Sequence, residues 1–108
     1  MDVFTLKDKL QYQPEKMAKV DLVSSMHMMA GLNCFEPGQV QKVHAHGGAD
    51  KLYYVVEGAG EFSVGAEKRT LKTGDLLHVP ENLDHGVVNT GKGRLSVLIV
   101  IAPNSHKK

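Results

Sequence analysis

Short apolar runs separated by glycine and proline dominate the hydrophobic pattern of this chain. The runs are rich in β-branched and aromatic residues, and no segment after Val20 sustains the apolar period of about 3.6 residues that marks an amphipathic helix. We therefore predict an all-β protein with many turns. A single helical turn is predicted within Thr5–Tyr12, before Pro14. The predicted strands are Lys19–Val23, Met26–Phe35, Val40–His44, Lys51–Glu57, Glu61–Val64, Lys68–Leu71, Leu76–Val79, Gly86–Asn89 and Leu95–Ala102.

The number of short strands leaves two architectures, an open sandwich and a double-sheet jelly-roll barrel. The chain has no Trp and one Cys, so it lacks the residues that mark an immunoglobulin-like sandwich. Its 108 residues suit one hydrophobic core, and we expect one domain over residues 1–108. The last strand is apolar on both faces, which predicts that another sheet or another subunit covers part of it.

Charge and hydropathy narrow the choice of partners. Thirteen Lys and Arg residues balance twelve Asp and Glu residues, and no basic stretch alternates with aromatic residues as a nucleic-acid surface requires. Residues 1–10 carry four charged side chains and do not resemble a signal peptide, and the longest apolar run, 97–102, is too short to cross a bilayer. We expect a cytoplasmic protein that binds neither nucleic acid nor membrane.

Three histidines carry the candidate chemistry. His44 and His46 are two residues apart, so on an extended strand both imidazoles project from the same face. His85 follows a predicted turn over residues 80–84, and a barrel can fold it back beside the first pair. Three imidazoles suit one divalent transition metal ion, Fe, Mn, Ni, Zn or Cu. The alternative for the His44 and His46 pair alone is two surface histidines on a hydrated strand.

The spacing around these histidines resembles two motifs of the cupin superfamily, and the resemblance covers Phe35 to Pro103. The first motif, about residues 38–58, matches at Gly38, His44, His46 and Gly58. The second, about residues 74–89, matches at Gly74, Pro80, His85 and Asn89, with Asn82 in place of the usual Gly. The resemblance implies a double-stranded β-helix, or jelly-roll barrel, preceded by a short N-terminal extension. It also implies a dimer, since small cupins commonly dimerise through sheet edges.

Lys51 occupies the position at which the resemblance places a fourth ligand, a Glu. An ammonium group cannot ligate a metal ion. In one interpretation Lys51 swings away and leaves a three-histidine site, which would resemble the three-histidine cupins among thiol and diketone dioxygenases. In a second, Lys51 points inward and binds the carboxylate or enolate of a substrate. In a third, which we rank below these two, a metal-free cavity binds a small anion through Lys51 and protonated histidines.

Lys51, Tyr53 and His78 are predicted to shape the pocket, as its catalytic or substrate-binding candidates. Strand alternation puts Tyr53 on the same face as Lys51 and Tyr54 on the opposite face. We expect a metal-binding cupin that acts on a small organic molecule, as a metal-dependent dioxygenase or isomerase. The alternative is a non-enzymatic cupin that binds or senses a sugar or an anion. A homodimer is expected in either case.

Overall fold

The computed structural model of the chain describes residues 1–45 and 47–104. Nearly all of its regular structure is β-strand, which confirms the all-β prediction. One 3-10 helix, Leu6–Lys9, lies inside the predicted helical turn. No helix in the described part of the chain is long and apolar enough to span a membrane. The strands are β1 (Ala18–Ser24), β2 (Met29–Phe35), β3 (Val40–His44), β4 (Asp50–Glu57), β5 (Ala59–Val64), β6 (Glu67–Lys72), β7 (Leu76–Val79), β8 (His85–Val88) and β9 (Leu95–Ala102).

The strands form two antiparallel sheets that pack face to face. The five-stranded sheet has the order β1-β2-β9-β4-β7, and the four-stranded sheet has the order β3-β8-β5-β6. Consecutive strands therefore often lie in different sheets, as the jelly-roll architecture requires. This order places β9, the last strand, in the centre of the larger sheet, where it pairs with β2 on one side and β4 on the other.

The main core consists of the inward side chains of both sheets. Tyr53 and Phe62 meet edge to face with ring centroids 5.5 Å apart. Each large apolar side chain that is fully buried here stabilises the fold by about 1.5–3 kcal/mol. The buried members of this core are Met17, Phe35, Tyr53, Val55, Phe62, Val79, Val87, Leu95, Val97 and Ile99.

A second cluster explains part of the two-sided apolar pattern of β9. Leu6, Leu10 and Tyr12 from the N-terminal segment pack on the outer face of the five-stranded sheet, against a group that includes Leu32 and Leu98. The chain thus covers part of this face with its own N-terminal segment. Other parts of the outer face are half-buried or exposed, and Leu76 is 64% exposed.

The start of β2 differs from the sequence prediction, and the backbone conformation of Asn82 agrees with it. The strand predicted to begin at Met26 begins at Met29, because Ser25 closes a tight turn. The Ser25 hydroxyl oxygen accepts hydrogen bonds from the amides of His27 and Met28, which occupies the backbone groups that a longer strand would need. Asn82 has a φ of +66°, so it adopts the left-handed conformation for which the usual residue is Gly.

Candidate functional site

His44 and His85 form a cross-strand pair in the four-stranded sheet. β3 and β8 are antiparallel neighbours, and their register sets these two residues opposite each other. The ring centroids are 4.2 Å apart, with the ring planes inclined by 52°. His85 is fully buried, and His44 is half-buried. The folding of β8 onto β3 therefore brings together two of the three predicted ligands, while His46 lies outside the described residues.

Both imidazoles are oriented by a hydrogen bond from Nδ1 to a backbone carbonyl. His44 Nδ1 lies 2.8 Å from the oxygen of Lys42, and His85 Nδ1 lies 2.9 Å from the oxygen of Leu83. A carbonyl oxygen only accepts, so Nδ1 carries the proton and the lone pair of the neutral ring is on Nε2. Metal-bound histidines usually have this outer hydrogen bond, which fixes the tautomer and the ring orientation.

The electrostatic environment of His44 and His85 favours the neutral form of both imidazoles. Burial lowers the pKa of both His44 and His85, and the positive charge of Lys51 lowers each further. Neutral imidazole is the form that binds a metal ion. In tautomer and charge state, the two rings fit a divalent transition metal. Within residues 1–45 and 47–104, no third His, Cys, Asp or Glu completes a group of three metal ligands.

Lys51 projects inward from β4 and is only 3% exposed. Its Nζ lies 4.6 Å from the centroid of the Tyr53 ring, which gives the ammonium a cation–π contact. In the part of the chain that the structure describes, no carboxylate lies within ion-pair distance of Lys51. Burial and the nearby charge of Lys19 lower the pKa of Lys51 to about 8. The structure thus has a buried cation facing the cavity and beside the two imidazoles.

Tyr53 connects the core to the site. It is fully buried, and its hydroxyl donates a 2.6 Å hydrogen bond to Oε1 of Gln41. Its ring centroid lies 6.0 Å from that of His85. Burial raises the pKa of Tyr53 far above its ordinary value, so the phenol stays neutral. Sequence reasoning placed Tyr53 on the inner face but did not identify Gln41, because the pairing of these side chains crosses from one sheet to the other.

A cavity of about 460 Å³ opens next to His44 and Lys51, a volume suited to a small organic molecule. Among the polar residues of its wall that sequence reasoning missed are Lys19 and Asn33, which are cross-strand partners in β1 and β2. The available signal was Asn33 itself, a polar residue inside the apolar strand 29–35. The cavity is lined by Lys19, Val20, Asp21, Ser24, Met29, Leu32, Asn33, Gln41, His44, Lys51, Ile99, Ile101 and Asn104.

His78 lies outside this cavity, which corrects its sequence-based placement beside Lys51 and Tyr53. β7 pairs with β4 so that His78 is opposite Leu52, whose side chain has the opposite parity to Lys51. His78 is exposed, and its Nε2 lies 2.9 Å from Oδ2 of Asp50. That contact is the main reason why the pKa of Asp50 is lowered. His78 instead lines a second groove, of about 300 Å³.

Residues 31–101 match the cupin domain family. This chain belongs to the cupin family. The crystal structure of TT1209 from Thermus thermophilus is 41% identical in sequence, with a TM-score of 0.92 over 95% of this chain and 98% of that chain. These findings confirm the cupin jelly-roll fold that the motif spacing predicted.

Two curated cupin relatives have names that refer to a process or a ligand. The pectin degradation protein KdgF of Dickeya dadantii is 42% identical over 65 residues, which cover 60% of this chain and 57% of that protein. The oxalate-binding protein of Thermotoga maritima is 30% identical over 89 residues, covering 80% of this chain and 74% of that protein. The chain therefore spans little more than half the length of the KdgF relative.

Proposed function

We propose that this chain forms a single cupin domain that holds one divalent transition metal ion and binds a small organic molecule beside it. His44, His46 and His85 are the proposed ligands, and Fe, Mn, Ni, Zn and Cu all suit imidazole nitrogen. The observation that carries this proposal is the pair of Nδ1 hydrogen bonds to the carbonyls of Lys42 and Leu83, which present Nε2 of neutral rings. When bound, such an ion acts as a Lewis acid that polarises an oxygen atom of its ligand.

The residues around the imidazoles favour chemistry in which negative charge develops on an oxygen atom. Lys51 supplies a fixed positive charge that stabilises such an oxygen, and its burial strengthens the effect because little water screens it. Met29, Ile99 and Ile101 give the cavity apolar walls that limit water. We propose isomerase-like chemistry at a carbonyl or hydroxyl group on this basis. The inward Lys51 favours it over the dioxygenase interpretation, which needed Lys51 to swing away.

A second candidate function is non-enzymatic binding of a small anion. The observation that favours it is Lys51 in the cavity wall, together with the likeness to a protein named for binding oxalate. Both functions use the same cavity. They differ in whether the bound molecule is recovered unchanged after prolonged incubation, which nuclear magnetic resonance of the recovered compound measures.

Metal analysis of protein purified without a histidine tag tests the metal proposal. We expect about one equivalent of a single transition metal per chain, and a large loss in each of His44→Ala, His46→Ala and His85→Ala. His78→Ala is the matched control, because His78 lies outside the cavity and should leave the metal content unchanged. Less than about half an equivalent in the wild type after reconstitution, or equal metal content in all four variants, would contradict the proposal.

A further inference from the structure

Two lysines from separate strands line the same cavity. Lys19 comes from β1 and Lys51 from β4, two strands that lie apart in the five-stranded sheet with β2 and β9 between them. The charge of Lys19 acts on both Lys51 and His44, so the two ammonium groups share one electrostatic environment. Asp21 is the one acidic residue in the described cavity wall, and it forms no ion pair with either lysine among the described residues. The wall carries more positive than negative charge.

Asn33 adds an unused hydrogen-bonding group to this wall. Its side chain is 1% exposed, and within the described residues neither its Nδ2 nor its Oδ1 has a hydrogen-bond partner. A buried amide without a partner is unfavourable, so its presence here points to a partner that the described protein chain does not provide. Asn33 is among the residues that line the cavity, and it is the cross-strand partner of Lys19.

The buried Lys51 also raises an electrostatic problem for the proposed metal ion. A divalent cation at His44 and His85 repels a nearby ammonium, and no protein carboxylate in the described residues lies close enough to Lys51 to offset this. The resemblance to cupins places an acidic ligand where this chain has Lys51. A negative group brought by the ligand would neutralise both cations at once, and carboxylates bind ammonium groups through short charge-assisted hydrogen bonds.

We propose that the cavity binds a small organic acid, with its carboxylate held by Lys51 and Lys19 and with Asn33 as a neutral hydrogen-bonding partner. The rest of the molecule is then directed towards His44 and His85. This inference names the substrate class of the proposed function and rests on it for the metal ion. The carboxylate site itself needs only the cavity. Because binding free energies are reciprocal, the acid and the metal ion each strengthen the binding of the other.

Calorimetric titration with matched charged and neutral probes tests this inference. The pairs are glucuronate with glucose, and lactate with lactamide, because the members of each pair are similar in size and differ in the carboxylate. We expect both carboxylates to bind the metal-free protein more tightly than their neutral partners. Lys51→Met should weaken carboxylate binding by about tenfold or more, because Lys51 is buried. Lys19→Met should weaken it by about two- to fivefold, because Lys19 is exposed and water screens its charge.

Lys68→Met is the matched control, because Lys68 is exposed on β6, outside the cavity, and its loss changes the net charge equally. Circular dichroism first establishes that each variant is folded. The inference is overturned if no carboxylate binds, if the neutral partners bind equally well, or if Lys51→Met and Lys19→Met bind like Lys68→Met. Lys19→Met should keep its full metal content, so the experiment tests the carboxylate-site inference separately from the metal-site proposal. Tighter lactate binding by the metal-loaded protein than by the metal-free protein is the expected coupling, and weaker binding would overturn it.

Discussion

The ammonium group of Lys51 lies 4.6 Å from the centre of the Tyr53 ring, inside the barrel and beside two imidazoles. The ring offsets part of the cost of burying the charge, but no carboxylate within ion-pair distance does so in the described part of the chain. A cation kept at such a cost is typical of a binding site, where stability is reduced for the sake of function.

Replacing Lys51 with Met should stabilise the metal-free protein at pH 7. Burial lowers the pKa of Lys51 from 10.5 to about 8, so the folded state binds this proton less readily than the unfolded state. Below pH 8 the full penalty is present, and it is relieved as the pH rises from 8 towards 10.5. We expect Lys51→Met to raise the free energy of unfolding by about 2 kcal/mol at pH 7 and by much less at pH 10. Urea unfolding at both values measures the difference, and an equal effect at both would contradict the electrostatic explanation.

Removing the Tyr53 hydroxyl should destabilise the fold. Tyr53→Phe deletes the donor of the buried 2.6 Å hydrogen bond and leaves Oε1 of Gln41 without it. We expect a loss of about 1–3 kcal/mol in the free energy of unfolding. Tyr54→Phe, on the neighbouring and 38% exposed residue, is the control and should change stability by less than about 0.5 kcal/mol. Equal effects of the two substitutions would show that the hydrogen bond to Gln41 has no special role.

Acid should destabilise the metal-free protein through His44 and His85. Burial lowers the pKa of both below 6.5, so as the pH falls below 6.5 the unfolded state takes up protons first. Stability is therefore full above 6.5 and is lost progressively as the pH falls towards the lowered values. We expect the melting temperature of His85→Leu to depend less on pH between about 6.5 and 5 than that of the wild type. Equal pH dependence of the two melting temperatures would contradict this explanation.

The exposed outer face of the five-stranded sheet should bind a second copy of the chain. Tyr54 and Leu76 are cross-strand partners on this face and are 38% and 64% exposed. Adjacent exposed apolar side chains of this size are typical of an interaction surface. Sedimentation analysis should show a dimer that Leu76→Lys converts to monomer. Val43→Lys, at an exposed residue of the four-stranded sheet, should leave the dimer intact, and a monomeric wild type would contradict the prediction.

Much of the fold could be predicted from local pattern. Gly and Pro punctuation with β-branched runs located the strands, since turn dihedrals and strand propensity depend on neighbouring residues in the chain. The start of β2 was misplaced because the turn at Ser25 depends on hydrogen bonds that apolar pattern does not reveal. Motif spacing identified the cupin fold and predicted that His85 belongs to the candidate site. In the structure His85 lies opposite His44.

Local sequence pattern was enough to predict which strands exist, the parity of residues within each strand, and the two motifs that contain His44 and His85. Which faces point inward and which strands are neighbours became clear only from the pairing of the strands in three dimensions. Local pattern predicts that Lys51 and His78 lie on strands. The β4–β7 register then places Lys51 on the face that points into the cavity and His78 on the face that points outward. Lys19 and Asn33 reach the cavity because β1 and β2 pair at the margin of the sheet that carries Lys51. The proximity of these side chains depends on long-range strand pairing, which a local sequence pattern does not specify.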